Sequence, residues 1–259
     1  MSFHRLRFLV QRDFLIFTRV KWRLAEILYF PVTTILLWGY FAHASAGRAA
    51  LESALVILVV NVLWNFASIA QTTSNLQIME DIWSGSLKQV LLTGVTPLEY
   101  LAARMVTAGV ASVLVGAILL GLAMLFGVRL EGVWGASMAA FGAALVAALG
   151  LSGFVAGLIL LLGREYGFLA WTVIQAFVLL SAPLFPVETF PAPIAAVARA
   201  MPFTDAFEIS RAAAAGHAPE AASLWRAAAI SAGYFLASIP FYALCFRHAR
   251  RLGRLARLA

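Results

Sequence analysis

Long runs of apolar residues constrain the fold of this chain more than any other feature of its sequence. Several of them exceed the roughly 18 residues that a helix needs to cross a bilayer. Charged residues form 12% of the 259 positions and hydrophobic residues 63%, whereas soluble domains carry about 25% charged residues. The sequence therefore predicts an all-α integral membrane protein with a single transmembrane domain over 1–259. The six predicted spans are 24–41, 53–78, 98–127, 133–162, 166–182 and 224–246.

The distribution of lysine and arginine predicts the orientation of these spans. With six spans, both termini lie on the same side of the membrane. That side holds 14 of the 19 basic residues, in the N-terminal region, the segment 79–105, the turn 163–165 and the tail 247–259. Because basic loops stay in the cytoplasm, we expect cytoplasmic termini in a multi-pass protein of the bacterial cytoplasmic (inner) membrane. The basic residues follow membrane boundaries and form no single patch, which argues against nucleic-acid binding.

The N-terminal region 1–23 has the pattern of a helix that lies on the membrane surface. Apolar residues at helical spacing form one side and arginines at intervals of seven form another; the alternative is a basic juxtamembrane tail. The apolar residues are Phe3, Leu6, Val10, Phe14 and Phe17, and the arginines are Arg5, Arg12 and Arg19.

Polar residues form a narrow stripe along the second predicted span. They are Asn61, Asn65, Ser68, Thr72 and Asn75. Asparagine in hydrocarbon is costly unless it faces protein or water, so the stripe forms either the wall of a substrate path or a set of interhelical hydrogen bonds. In the fourth span, Gly150, Gly153 and Gly157 predict a helix-packing face.

The segment 79–96 is a polar break between two spans. Glu80 and Asp81 open it, and Gly85 and Ser86 interrupt it. The sequence Thr96-Pro97-Leu98-Glu99 predicts a capping box with proline in the first helical position. The segment is thus either a short cytoplasmic helical element or a solvated loop.

Six of the nine prolines lie in 183–223, before the last span and the basic tail. Two helix-like stretches occur there, the second beginning near Thr204 or Asp205 and ending near Gly216. They predict either a re-entrant helical hairpin on the outer side, shielded by protein or a water cavity, or an external loop with two surface helices.

The motifs of common catalytic and nucleotide sites are absent from the sequence. It contains no GxxxxGK[ST], HExxH, CxxC or GxSxG motif, one cysteine and four dispersed histidines. We therefore expect no catalytic residues, no metal site and no cofactor on this chain. Because a carboxylate at the membrane midplane is also lacking, uphill transport would need a partner as its energy source.

The order of these parts resembles the membrane subunit of ABC exporters of the type-2 permease family, which export polysaccharides, teichoic acids, drugs and lipids. The resemblance covers essentially the whole chain. The family's cytoplasmic element is matched by Glu80-Asp81, Gly85-Ser86-Leu87, Leu91-Leu92, Thr96-Pro97 and Glu99, and its outer pattern by Phe185-Pro186, Pro191, Pro202 and Arg211. Thr93-Gly94 departs from the family pattern, in which many members already have Thr-Pro at this point.

The resemblance implies a permease subunit without its own nucleotide site that works with two copies of an ABC ATPase, which bind ATP and Mg, and with membrane lipids. A second permease chain would complete the pathway as a homodimer or a heterodimer. Residues 79–92 would form a coupling helix that seats on the ATPase. The implied coupling residues are Glu80, Asp81, Gly85, Ser86, Leu87 and Lys88. The implied substrate path comprises the polar stripe with Trp38, Trp171 and Gln175. The implied outer gate comprises Phe185, Pro191, Pro202 and Arg211.

Two other functions remain open at this stage. One is a self-contained secondary transporter, against which the missing midplane carboxylate argues. The other is a permease-like membrane scaffold for an assembly such as cytochrome maturation.

Overall fold

Over the residues that the computed structural model describes, 3–19, 21–44, 48–129 and 132–253, the chain consists of helices joined by turns and irregular segments, with no strand. The last six residues of the predicted basic tail and the first two of the chain lie outside these ranges. The α-helices are α1 (Phe3–Arg19), α2 (Lys21–Ala44), α3 (Arg48–Trp83), α4 (Ser86–Leu92), α5 (Pro97–Leu125), α6 (Trp134–Leu162), α7 (Leu169–Leu180), α8 (Ala192–Arg199), α9 (Thr204–Ala214) and α10 (Ala221–Arg251).

Five helices within the described ranges, α2, α3, α5, α6 and α10, are long and apolar enough to cross a membrane. Each coincides with one predicted span to within two residues or contains it, since α5 ends at Leu125 and α6 begins at Trp134. The predicted fifth span instead consists of a short 3-10 helix, Arg164–Phe168, followed by the 12-residue α7, which alone is shorter than the roughly 20 residues of a typical span. The chain is thus a multi-pass membrane protein by the length and composition of its helices.

The helix α3 is longer than its predicted span. It continues through Trp83 for 36 residues, about 54 Å at the usual rise per residue, whereas the hydrocarbon core of a bilayer is about 30 Å thick. The predicted helix 79–92 is therefore divided: 79–83 form the last turn of α3, and 86–92 form α4. The last turn of α3 thus lies next to α4.

Close packing of α6 on α10 confirms the predicted role of the small residues in α6. A methyl group at Gly150 would lie 2.7 Å from the backbone nitrogen of Phe235, and one at Gly153 would lie 2.8 Å from the hydroxyl of Ser238. Both distances are too short for a side chain, so glycine allows the two helices to approach closely.

The bundle has two large apolar cores. The first lies among α2, α3, α5, α6, α7 and α9, and the second joins α1 and α4 to α3, α5, α6 and α10. The helices α8 and α9 occur where the sequence predicts two short helices, and α9 begins at the predicted Thr204. Phe203 and Phe207 are buried in the first core, so α9 packs into the bundle rather than lying on it.

Candidate functional site

The junction from α3 through α4 to α5 is built from local sequence signals. Gly85 adopts a left-handed conformation with φ of 70° and separates α3 from α4, a conformation that glycine adopts without steric cost. At the start of α5 the predicted capping box is present. The Glu99 amide donates to the Thr96 hydroxyl at 3.2 Å, and the Thr96 amide donates to the Glu99 carboxylate at 2.9 Å. Both turns that delimit α4 are thus specified locally.

One face of α4 is buried and the other is open. Leu87 and Val90 are buried in the second core, whereas Lys88 and Gln89 are exposed. The side chain of Leu92 is 86% exposed, and Trp83, just before α4, is 50% exposed. The junction therefore presents an exposed surface with apolar and basic side chains at the end of the bundle, although α4 itself is firmly anchored.

A buried group of four charged residues, here called the charge cluster, fixes this junction to α1. Its members are Arg12 and Asp13 of α1, Asp81 of α3 and Arg104 of α5. Arg104 is only 2% exposed, and its guanidinium forms ion pairs with both Asp13 and Asp81. Arg12 adds a second cation, 3.1 Å from the Asp81 carboxylate and 3.3 Å from that of Asp13. The two carboxylates and two guanidinium groups balance in charge.

Neutral donors complete the charge cluster. The Tyr100 hydroxyl donates to Asp81 at 2.7 Å, and the Ser86 hydroxyl donates to the same carboxylate at 2.9 Å. The ring of Tyr100 also lies 4.7 Å from the Arg104 guanidinium carbon, in cation–π geometry. Because Ser86 is the first residue of α4, the Asp81 carboxylate holds α1, α3, α4 and α5 together.

The predicted coupling residues thus differ in their environment. Asp81, Ser86 and Leu87 are directed into the protein, Gly85 forms the turn, and Lys88 is exposed. Glu80 is half-buried at the end of α3, where it lines both cavities described below. The buried members position the exposed surface rather than belonging to it.

The polar stripe borders a cavity of about 290 Å³ between α2, α3 and α7, here called the groove. Asn65, Ser68 and Thr72 line it together with Trp171 of α7. Toward the end of α3 its wall continues through Thr73, Leu76, Gln77 and Glu80, while Ile27, Phe30 and Pro31 of α2 form the apolar side. The groove thus has one hydrogen-bonding wall and one apolar wall.

Other predicted path residues lie elsewhere. Asn61 accepts a hydrogen bond from Asn65 at 2.9 Å, and the amide of the fully buried Asn75 donates to the Gln71 carbonyl at 3.0 Å. Trp38 packs against the first core, and Gln175 is exposed on α7 outside the groove lining. Three stripe residues thus line a groove, and two make hydrogen bonds within α3. The interhelical bond that the pattern allows is made by Asn65, whose amide donates to the Thr34 hydroxyl of α2 at 3.4 Å.

The outer-gate residues support the turns before α10. Arg211 of α9 donates to the carbonyls of Ala182 and Pro183 at 2.7 and 2.9 Å. Burial lowers the pKa of the Arg211 guanidinium, while the charges of Glu208 and Glu188 act in the opposite direction. The ring of Phe185 packs edge-on against Phe190, Pro191 precedes α8, and Pro202 is buried between α8 and α9.

Comparison with protein-family models and with curated proteins found no match. The chemistry of the site therefore rests on its geometry alone.

Asp13, Tyr100 and Arg104 are the site residues that sequence reasoning missed. Arg104 contributed only to the count of basic residues, although an ionisable side chain within a predicted span is itself a signal of a specific role. Tyr100 and Arg104 are also four positions apart and share one helical face. That spacing indicates a polar contact on α5, but nothing in the sequence identifies Asp13 as the partner.

Proposed function

We propose that this chain is the permease subunit of an ATP-driven ABC exporter of the type-2 permease family. It moves an amphipathic or lipid-linked substrate, such as a glycan, drug or lipid, out of the cytoplasm. ATP and Mg bind to a separate ATPase subunit, present in two copies, and two permease chains form the pathway. The observation that carries this proposal is the junction at α4: a short helix with an exposed face, held to three other helices, α1, α3 and α5, by the charge cluster.

The anchoring of α4 suits the transmission of motion. A docking helix moves spans only if it is fixed rigidly to them. Leu87 and Val90 tie α4 to the second core, and Ser86 ties it to Asp81. A force applied to the exposed side of α4 therefore reaches the ends of α3 and α5 through buried contacts.

The proposed topology has six crossings with both termini in the cytoplasm of a bacterial inner membrane. In it, the 3-10 helix and α7 form the fifth crossing together. Five residues of 3-10 helix and twelve of α-helix span at most about 28 Å, because the 3-10 helix is kinked at Tyr166; this upper limit is close to the roughly 30 Å of the hydrocarbon core. This arrangement puts α8 and α9 on the outer side as a re-entrant hairpin, with Phe203 and Phe207 directed into the bundle.

The proposed substrate path follows the groove. Its wall of amide and hydroxyl groups offers hydrogen bonds, and Trp171 and Phe30 offer apolar surface to the same ligand. The groove opens on the surface of a single chain, so a second copy that faces it would complete an enclosed path.

Purification of the tagged chain from its native membrane tests this function. We expect an ATP-binding-cassette ATPase to co-purify in equal amount and the preparation to hydrolyse ATP. Recovery of a chain that carries no ATPase, and that transports in response to an ion gradient when purified alone, would contradict the proposal.

A further inference from the structure

Gln77 is one of two residues, with Glu80, that lie between the groove and the charge cluster. Its side chain lines the groove and also a second cavity of about 20 Å³, here called the small cavity. The small cavity is bordered by Arg12, Asp13, Asp81 and Arg104, which are the four members of the charge cluster, and by Ile16 and Glu80. A path from the groove to the cluster therefore passes through the end of α3 at Gln77.

Gln77 is buried without a hydrogen-bond partner among the described residues. It is 5% exposed, and neither its amide nitrogen nor its amide oxygen has a partner there. The Nε atom of Arg104, on the wall of the same small cavity, also lacks one. Buried polar groups that lack partners are costly and are normally satisfied by protein or by water.

The small cavity matches one water molecule in size and chemistry. A water site requires about 10–15 Å³ and two to four polar partners, and both conditions are met here. A water in the small cavity would connect the Gln77 amide to Arg104, whose guanidinium forms ion pairs with Asp13 and Asp81.

We propose that Gln77 is a positioning residue that links occupancy of the groove to the charge cluster through a water molecule in the small cavity. A ligand in the groove competes for the Gln77 amide and withdraws it from the small cavity. Arg104 then loses a bridged hydrogen bond, and the hold of the charge cluster on α1 and α4 weakens. This inference rests on the proposed function only in taking the groove as the ligand path.

Hydrogen exchange on a chain with a filled groove tests the link. In a Cys245→Ala background, Thr72→Cys places a thiol in the groove, and benzyl methanethiosulfonate attaches a benzyl group there. The same label on Leu236→Cys, an exposed position of α10 outside the groove lining, serves as the control. We expect the groove label to raise amide exchange in α1 and α4 by roughly fivefold, and the control label to leave it unchanged.

Two variants of Gln77 test whether its side chain transmits the effect of the groove label on amide exchange. Gln77→Leu removes the amide and leaves an apolar side chain of similar size, so the label should no longer alter exchange. Gln77→Glu keeps acceptor oxygens for the water and should retain the response. If the groove label leaves amide exchange in α1 and α4 unchanged in the protein that keeps Gln77, the proposal is overturned, whatever the variants show. If Gln77→Leu responds to the label as strongly as that protein does, the role of Gln77 is overturned.

The result is separable from the proposed function because no ATPase takes part. If no ATPase co-purifies but the groove label still alters exchange in α1 and α4, the exporter assignment fails and the link stands. If an ATPase co-purifies but the label has no effect, the link alone fails.

Discussion

Arg104 of α5 forms an ion pair with Asp13 of α1, and the contact is almost completely buried. Through its second ion pair, with Asp81, the same guanidinium fixes the end of α3. The N-terminal helix is therefore part of the structure that carries α4, rather than a separate segment that touches only the membrane surface.

Loss of Arg104 should destabilise the protein strongly. Arg104→Met leaves Asp13 and Asp81 buried with reduced compensation, and breaking a buried ion pair costs about 3–5 kcal/mol. We expect a loss of that size in the free energy of unfolding, measured by thermal or denaturant unfolding in detergent.

A variant without the central charges provides the control for that experiment. Loss of one partner is costly because it leaves an uncompensated buried charge. Asp13→Asn and Asp81→Asn remove the two buried carboxylates, so combining them with Arg104→Met should recover much of the lost stability. A triple variant no more stable than the single one would show that Arg104 acts through packing instead of charge.

Gly150 should not tolerate a methyl group. Gly150→Ala forces the backbone of α10 away near Phe235, at a cost of about 1–3 kcal/mol for overpacking. Gly142→Ala is the matched control on the same helix, because no atom lies within 4 Å of its added methyl group; there, alanine should be neutral or stabilising. Equal melting temperatures for the two variants would contradict the close contact of α6 with α10.

The capping box should set the stability of the first turn of α5. Thr96→Ala removes the acceptor for the Glu99 amide, and loss of such a cap typically costs about 1 kcal/mol. Hydrogen exchange of the amides of 98–101 should accelerate accordingly. Thr172→Ala, which removes only a hydroxyl that donates to the carbonyl of Phe168, should leave these amides unaffected; equal acceleration in both variants would argue against the cap.

Arg211 should hold the turn that follows α7. Arg211→Met keeps the apolar stem but leaves the carbonyls of Ala182 and Pro183 without this donor, so proteolysis and hydrogen exchange within 181–191 should increase. Arg199→Met tests an exposed ion pair, at 3.6 Å from Glu188, which contributes about 0–1 kcal/mol and should change little. Protection that is unchanged in Arg211→Met would remove this residue from the proposed outer gate.

Local patterns predicted much of the fold. The capping box at Thr96, the glycines of α6 and the start of α9 at Thr204 depend on neighbouring positions, and each occurs as expected. Gly85 and Ser86 were expected to interrupt the segment after the second span, but the continuation of α3 through Trp83 was not. Apolar runs end at the membrane, whereas helices continue beyond it.

The charge cluster depends on contacts that no local rule contains. Aspartate is usually a surface residue, yet Asp81 is only 7% exposed, because Arg104, Arg12 and Tyr100 surround its carboxylate. The pairing of Asp13 with Arg104 is set by how α1 packs on α5, and helical periodicity carries no information about which helices are neighbours.

Binding of an ATPase to the exposed surface at α4 is the most direct test of the account. Leu92→Ser and Leu125→Ser change two leucines of similar high exposure, one at the end of α4 and one at the end of α5 near Phe126. We expect Leu92→Ser to reduce strongly the amount of ATPase that co-purifies with the chain, and Leu125→Ser to leave that amount at the wild-type level. Equal amounts of ATPase on the wild type and both variants would contradict docking at α4.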